Sequence, residues 1–392
     1  MPKTVILGAA RTPIGKMGGG LSSLDATTLG AAAIEAALER AQVAPEQVQH
    51  VVMGQVLQAG QGQIPSRQAQ IKAHIPKEVS SETVNKVCAS GLRACVILDQ
   101  AIRAGDMQVG VGGGMESMSQ APYLLPGARF GFRMGDVKAL DAMVHDGLTN
   151  PFSGKQMFVE ATEVGDELEL TRADLDRWAL RSHELALKAT DEGRLPEEIV
   201  PVTVKGRKGD TTVEIDEGPR RDTSLEKLAA LPGLVGKEGS HTAGNSPGVN
   251  DAAGALVLSS EEWAMANGKE ALAEIVAHAQ SADDFAYLAR TPASAAKKAL
   301  EQAGLQPGDI DVWEINEAFA SVTLNSIRML EIDEERVNVN GGAVALGHPI
   351  GATGSILVGT VLDELERRDG QFGLITMCAA GGMAPAIIIE RI

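Results

Sequence analysis

Residues 37–48 read ALERAQVAPEQV, and residues 299–310 read ALEQAGLQPGDI. In register, Ala37, Leu38, Glu39, Ala41 and Pro45 recur as Ala299, Leu300, Glu301, Ala303 and Pro307. Each copy runs into an apolar stretch, HVVMG (50–54) after the first and VWEIN (312–316) after the second. Each half also carries a later Gly-Gly-Met turn, in GGGMES (112–117) and AAGGMA (379–384). A repeated order of helix, strand, helix, strand and glycine turn predicts internal duplication. Two similar sheet-containing halves then pack about a pseudo-twofold axis.

Outward from the repeat, TVILGAARTPIG (4–15) reads as a buried strand and a glycine/proline turn. DATTLGAAAIEAALERAQV (25–43) has apolar residues at helical spacing, with Asp25 as N-cap. VQHVVMGQVL (48–57) is a strand, CASGLRACVILDQAIRAG (88–105) a helix ending at Gly105, and MQVGVGGGMES (107–117) a strand into a turn. This βαβαβ order belongs to the α/β class, with helices on the faces of a buried sheet. Residues 119–248 are mixed and loop-rich, with one long amphipathic stretch, TRADLDRWALRSHELALKATDEG (171–193). They read as an inserted loop subdomain, after which DAAGALVLSS (251–260) returns to strand character. The expected division is 1–118 plus 249–270 for the first half, 119–248 for the insert and 271–392 for the second half.

The 392 residues are 44% hydrophobic and 22% charged, the balance of a folded globular chain. A formal net charge of −17 disfavours nucleic acid as a partner. Local basic clusters, KGRK (205–208) and GPRRD (218–222), read either as solvated loops or as contacts for a small anion. Three cysteines, Cys88, Cys95 and Cys378, make no framework of paired disulfides. No apolar run has the length of a membrane span, and MPKTVILGAARTP shows no secretory cleavage pattern, so the expectation is a cytoplasmic protein without membrane contact.

Cys88 lies in VNKVCASGLRA (84–94), where a β-branched run meets a helix start. The partial positive charge and free N–H groups there favour a thiolate and could hold an oxyanion. The bland alternative is a small buried residue, which is also the reading for Cys95, two helical turns on. His348 lies in NGGAVALGHPIGATG (340–354), a glycine loop entering an apolar helix. It reads as a catalytic or a satisfied turn histidine; no Gly-Lys-Ser/Thr follows, so a phosphate loop is disfavoured. Cys378, in LITMCAAGGMA (374–384), ends a buried strand before a turn that exposes N–H groups, and reads either as part of a site or as a buried core cysteine. Asn316, in VWEINEAFAS (312–321), is either a simple N-cap or an amide aimed at an oxyanion. Each sits at a strand end or glycine turn, where open α/β sheets bind ligands, so a single composite site is expected.

At these residues the chain resembles the thiolase family. The resemblance rests on AARTPIG (9–15), NKVCASGLRA (85–94), GGGMESMS (112–119), NEAFA (316–320), NVNGGAVALGHPIGATG (338–354) and CAAGGMA (378–384). It implies the thiolase fold, with two duplicated βαβαβαββ-type halves in a layered α-β-α-β-α arrangement. It further implies that Cys88 takes up an acyl group from a coenzyme A thioester and that His348 activates this thiol. Cys378 would be the acid/base for the substrate α-carbon and leaving thiol. Asn316 would orient an oxyanion-hole water, and the Cys88 and Ala380 N–H groups would form a second oxyanion hole. Coenzyme A contacts map to Met157, Arg220, Ala243, Ser246, Ala318 and Phe319. No metal or redox cofactor is implied, coenzyme A thioesters are the substrates, and a homodimer or homotetramer is expected.

The implied reaction is reversible condensation of two acetyl-CoA to acetoacetyl-CoA and CoA. A broader 3-ketoacyl-CoA thiolase of β-oxidation is the nearest alternative. Two departures bear on pantetheine contacts and chain length: Gln156 stands where many members have histidine, and Pro247 in AGNSPG (243–248) where serine is common. DGLTNPF (146–152) and KVCASG point toward the short-chain acetoacetyl type. A decarboxylating ketoacyl synthase would carry histidine or asparagine at Cys378. A non-catalytic acyl-binding protein would not need all four polar residues, and zinc binding lacks its Cys-x-x-Cys spacing.

Overall fold

The computed structural model describes residues 2–392. The first half runs β1 (Thr4–Arg11), α1 (Ala26–Arg40), β2 (His50–Gly54), α2 (Pro65–Lys72), β3 (Ser80–Val84), α3 (Ser90–Ala104) and β4 (Val109–Ser117). The segment that follows contributes α4 (Met157–Glu167) and α5 (Arg172–Asp191) before β5 (Asn250–Ser260). The second half is β6 (Ala273–Ala282), α6 (Thr291–Ala303), β7 (Val312–Ile315), α7 (Ala320–Leu330), α8 (Thr353–Arg368), β8 (Phe372–Thr376) and β9 (Met383–Arg391).

Local signals account for the helix ends. Asp25 Oδ1 accepts the Thr28 N–H at 2.7 Å and caps α1, and Gly105 (φ 84°) ends α3 in the left-handed region. Thr171 and Asp174 form a capping box at the start of α5. The sequence repeat is also a conformational one. After α1 and α6 the chain turns through left-handed Gln42 (φ 52°) and Gly304 (φ 70°), which are in register. Each copy then forms a one-turn 3-10 helix, at Pro45–Gln47 and Pro307–Asp309. Gln47 accepts the Ala44 N–H at 2.9 Å, and Asp309 the Gln306 N–H at 2.7 Å.

The sheet order is β7-β8-β9-β6-β1-β5-β4-β2-β3, with the short strand Gly15–Lys16 also paired to β5. Read outward from the centre, the two halves follow the same order. In the second half the outermost strand is reduced to one bridge, Trp313 to Val337. The halves join through a two-residue antiparallel contact, Val5 with Glu274 and Ile6 with Ala273. The sequence predicts two similar halves but not this seam, which makes their sheets continuous.

Alternating residues sort the core into layers. Val5, Leu7, Val109, Val111, Ala253, Ala255 and Val257 pack outward with α1 and α2. Trp313, Leu374, Ala386 and Ile388 pack outward on the other side, with α6 and α7. The in-between residues, Ile6, Leu256, Leu258, Ile375, Ile387 and Ile389, share one central cluster with α3 and α8. The result is the α-β-α-β-α layering. The two central helices meet very closely. A Cβ on Gly354 would lie 2.4 Å from the Leu92 nitrogen, and one on Gly91 would lie 3.0 Å from the Gly351 oxygen. Only glycine allows this approach, and it brings the start of each central helix, with the loop before it, to one place.

Candidate active site between the two central helices

Cys88 stands just ahead of α3, on a turn that follows β3. Val87 before it has φ 49°, a left-handed conformation costly for a β-branched residue. Its neighbours hold it there: Asn85 Oδ1 accepts the Val87 N–H at 2.9 Å, and Ser90 Oγ donates to the Val87 oxygen at 2.6 Å. Cys88 is 2% exposed. Burial pushes its thiol up to about 12, against a smaller opposing effect of its own N–H and that of Ala380. This corrects the expectation of a helix-ionised thiolate: desolvation outweighs the helix terminus, and the resting sulfur is a thiol.

His348 follows Gly347 (φ 115°), where a Cβ would sit 2.5 Å from the Asn250 amide. That closeness lets the His348 N–H donate to Asn250 Oδ1 at 2.9 Å. Nδ1 of the ring lies 2.7 Å from Thr353 Oγ1, whose hydroxyl donates to the Pro349 oxygen at 3.0 Å. The hydroxyl proton being used, Thr353 accepts the Nδ1 proton, and Nε2 is left with its lone pair. Asn316 Nδ2 lies 3.4 Å from that Nε2. Burial lowers the His348 pKa to about 4, so the ring is a neutral base at ordinary pH.

Asn316 follows β7 directly, its N–H bonded to the Thr376 oxygen at 3.0 Å, and its buried Oδ1 has no partner in the protein. Cys378 follows β8 and is fully buried; burial, and then the Cys88 sulfur, raise its pKa well above the usual thiol range. Ala379 and Met383 close a tight turn, N–H to oxygen at 2.7 Å and 3.0 Å, through left-handed Gly381 and Gly382. This turn places Ala380 near enough for its N–H to counter, in part, the upward shift of the Cys88 thiol.

Two adjoining cavities lead to these groups. The inner one, about 220 Å³, is lined by Cys88, His348, Met157, Ser246, Ala318 and Phe319, and Gln156 and Pro247 also border it. The outer one, about 460 Å³, is lined by Lys16, His183, Arg220, Lys227, Ala243 and Ser246. Ser246, Gly248 and Val249 border both. The outer cavity is basic in an acidic protein, a local field suited to phosphate groups. The His183 pKa is lowered to about 4 by burial, then by Arg220 and Lys16, and its Nδ1 accepts the Arg220 N–H at 3.2 Å. A larger cleft of about 710 Å³, lined in part by Arg40, Asp363 and Arg367, contains none of the four polar site residues.

Every site residue named from sequence thus lines one of these cavities, except Ala380 and Cys378, which lie near the Cys88 thiol, and Asn316, which lies beside His348. Sequence reasoning missed the supports. Glu116, in β4, accepts the N–H groups of Val56 (3.0 Å), Leu57 (3.1 Å) and Gly351 (2.9 Å), tying two loops to the strand; burial raises its pKa to about 7. Glu317 accepts from Trp178 Nε1 (2.8 Å), Ser182 Oγ (2.8 Å), Asn338 Nδ2 (3.0 Å) and the Val344 N–H (2.9 Å). Their signal was a lone carboxylate within a small-residue or apolar motif. Among the described residues no group of three or more His, Cys, Asp or Glu could hold a metal ion. None of the helices described is long and apolar enough to cross a membrane.

A neutral thiol, an unprotonated imidazole, a second thiol and inward-facing N–H groups equip the site for acyl transfer and for stabilising an enolate. Comparison with known proteins agrees. The family model described as "Thiolase, N-terminal domain" matches residues 4–262, and "Thiolase, C-terminal domain" matches residues 269–391. The chain is 46% identical to an acetyl-CoA acetyltransferase of Cupriavidus necator over 392 residues, covering 100% of both. It is 44% identical to that of Syntrophomonas wolfei over 394 residues, covering 100% of this chain and 99% of the relative. The crystal structure of the Bacillus anthracis acetyl-CoA acetyltransferase superposes with a TM-score of 0.98 at 38% identity, covering 100% of this chain and 99% of that one.

Proposed function

The chain belongs to the thiolase family, and we propose that it works through an acetyl-Cys88 intermediate. It is an acetyl-CoA acetyltransferase, interconverting two acetyl-CoA with acetoacetyl-CoA and CoA. The observation that carries the reading is that Cys88 and His348 line one cavity, with Ala380 near enough for its N–H to act on the Cys88 thiol. His348 Nε2 takes the Cys88 proton as the sulfur attacks the first acetyl-CoA. The carbonyl oxygen, turning anionic, meets the N–H groups of Cys88 and Ala380. The departing CoA thiolate takes a proton from Cys378. The Cys378 thiolate then removes the α-proton of the second acetyl-CoA. A thiol whose pKa burial has raised leaves a strong base, suited to that weak carbon acid. The enolate oxygen is held by protonated His348 and by a water oriented by Asn316. The carbanion attacks acetyl-Cys88, and the released sulfur recovers its proton from His348. All protons balance over the cycle, and the kinetics are ping-pong.

Arg220, with Lys16 and Lys227 beside it, would meet the phosphates of coenzyme A in the outer cavity. Ser246 would bond the pantetheine arm; its buried Oγ has no partner in the protein. Met157, Ala318 and Phe319 would wall the arm's inner end. The enzyme takes acyl-CoA substrates and uses no metal or redox group. The three free cysteines suit a reducing cytoplasm. A homodimer or homotetramer is supported by β3, whose outer edge has no partner strand, and by an apolar loop bearing Phe130 (93% exposed) and Met134 (99% exposed). The 119–248 segment, whose α5 hydrogen-bonds to Glu317 of the second half, would carry the coenzyme. The deciding experiment is an initial-rate series with 3-ketoacyl-CoA of increasing chain length. Activity confined to acetoacetyl-CoA supports this reading, and comparable rates with long chains would assign the enzyme to β-oxidation.

A further inference from the structure

A cavity of about 20 Å³ is lined by Thr353 together with Arg11, Glu198, Glu314, Asn340 and Thr360. Most of the polar groups there are already engaged. Glu198 Oε2 accepts from Arg11 Nε at 2.6 Å and Thr360 Oγ1 at 3.1 Å. Asn340 donates to Glu364 Oε2 at 3.0 Å and accepts from Arg194 Nη1 at 2.6 Å. Glu314 is different. It projects from β7 two residues before Asn316, is 1% exposed, and its Oε1 has no hydrogen-bond partner among the protein's own groups. A buried polar atom in that position is normally satisfied by a bound water, and the volume suits one water molecule.

Thr353 supplies the other end. Its hydroxyl oxygen donates to Pro349 and accepts from His348 Nδ1, which leaves one lone pair unused. We propose that one ordered water occupies this cavity, donating to Glu314 Oε1 and to Thr353 Oγ1, and that Glu314 is thereby a positioning residue for His348. Glu314 touches neither substrate nor thiol; it acts through the water and Thr353 to fix the ring's tilt and tautomer. The charged groups around it fit such a role. Burial, and then Glu317, Glu198 and Glu364, raise the pKa of its carboxyl well above the usual carboxylate range, and Arg181 only partly offsets them.

The proposal rests on His348 being the base, and the test separates the two. A high-resolution crystal structure of the wild-type enzyme should show a water within hydrogen-bond distance of both Glu314 and Thr353; a dry cavity, or an ion in it, overturns the proposal. In stopped-flow acetylation by acetyl-CoA, E314L fills the space with apolar atoms. It should slow Cys88 acetylation roughly tenfold and shift its pH profile, with the KM for acetyl-CoA unchanged. E314Q keeps an acceptor oxygen and should restore most of the lost rate. An E314L enzyme with the wild-type rate and profile, or an E314Q enzyme as impaired as E314L, overturns the assignment. His348→Asn is measured alongside. If it acetylates normally the base is misassigned, an outcome independent of whether the water is found.

Discussion

The His348 imidazole leans on Thr353: Nδ1 and Oγ1 are 2.7 Å apart. That bond fixes which ring nitrogen carries the proton. Thr353→Val keeps the shape and removes the acceptor, leaving the ring free to tilt or change tautomer. Acetylation of Cys88 should fall roughly 10- to 100-fold, since small misplacements of a reacting group cost rates of that order. Single-turnover kinetics with unchanged acetyl-CoA affinity would bear this out; a wild-type rate would refute it.

Cys88→Ser should abolish the acetyl adduct seen by mass spectrometry after acetyl-CoA treatment. A buried hydroxyl is a far weaker nucleophile than a thiol with a base at hand. An adduct of equal yield on the variant would assign the nucleophile elsewhere.

Cys378→Ala should still exchange acetyl groups slowly with Cys88 but fail to condense, because the α-proton has no acceptor. A loss of two to four orders of magnitude in condensation is roughly the contribution of a positioned general base. Condensation no more impaired than acetylation would deny Cys378 its part as the base for the α-proton.

Cys88 is pushed up to about 12 and His348 down to about 4, so both are neutral across the ordinary range. Acetylation by acetyl-CoA should therefore be flat between roughly pH 5 and 9 and fall only as His348 protonates at acid pH. A clear step near the ordinary histidine value would show that the ring is solvated.

The same shift has a stability consequence. The folded pKa of His348 is depressed, so its contribution is fully present above about 6.5 and is lost as pH falls toward about 4, at most about 3 kcal/mol. Glu116 acts in the opposite sense: raised to about 7, its contribution is present below about 4.5 and lost as pH rises through 7. Thermal melts of wild type and His348→Asn should accordingly diverge below about pH 6.5, with the wild type losing more. Parallel curves would sink this.

Gly354→Ala tests the helix contact behind the site. Its Cβ would fall 2.4 Å from the Leu92 backbone nitrogen, which cannot swing aside. Overpacking of this kind costs about 1–3 kcal/mol and should lower Tm. The two helix starts would also separate, so acetylation should suffer with it. An unchanged Tm would mean the helices are free to part.

Much of this was legible in the chain. The match of Ala37–Pro45 to Ala299–Pro307 predicted the duplication, and the structure adds that both copies pass through a left-handed residue, Gln42 and Gly304. Cys88, Asn316, His348 and Cys378 stood out through strand-end and glycine contexts. What could not be read depends on long-range packing. The ionisation of Cys88 reversed because desolvation is a tertiary quantity. The seam of Ile6 with Ala273 involves residues with no local signature. Val87 in a left-handed conformation contradicts its own propensity and is held only by Asn85 and Ser90. Thr353 looks like an ordinary helix residue until the fold sets it beside His348, and Glu314 like an ordinary strand residue until it lines a cavity with Thr353.

A sulfur that stays protonated until substrate arrives is also a poor target for peroxide, which attacks thiolates. With Cys88 as the acetyl acceptor proposed above, its burial would serve as a safeguard as well, keeping the sulfur from oxidants between turnovers.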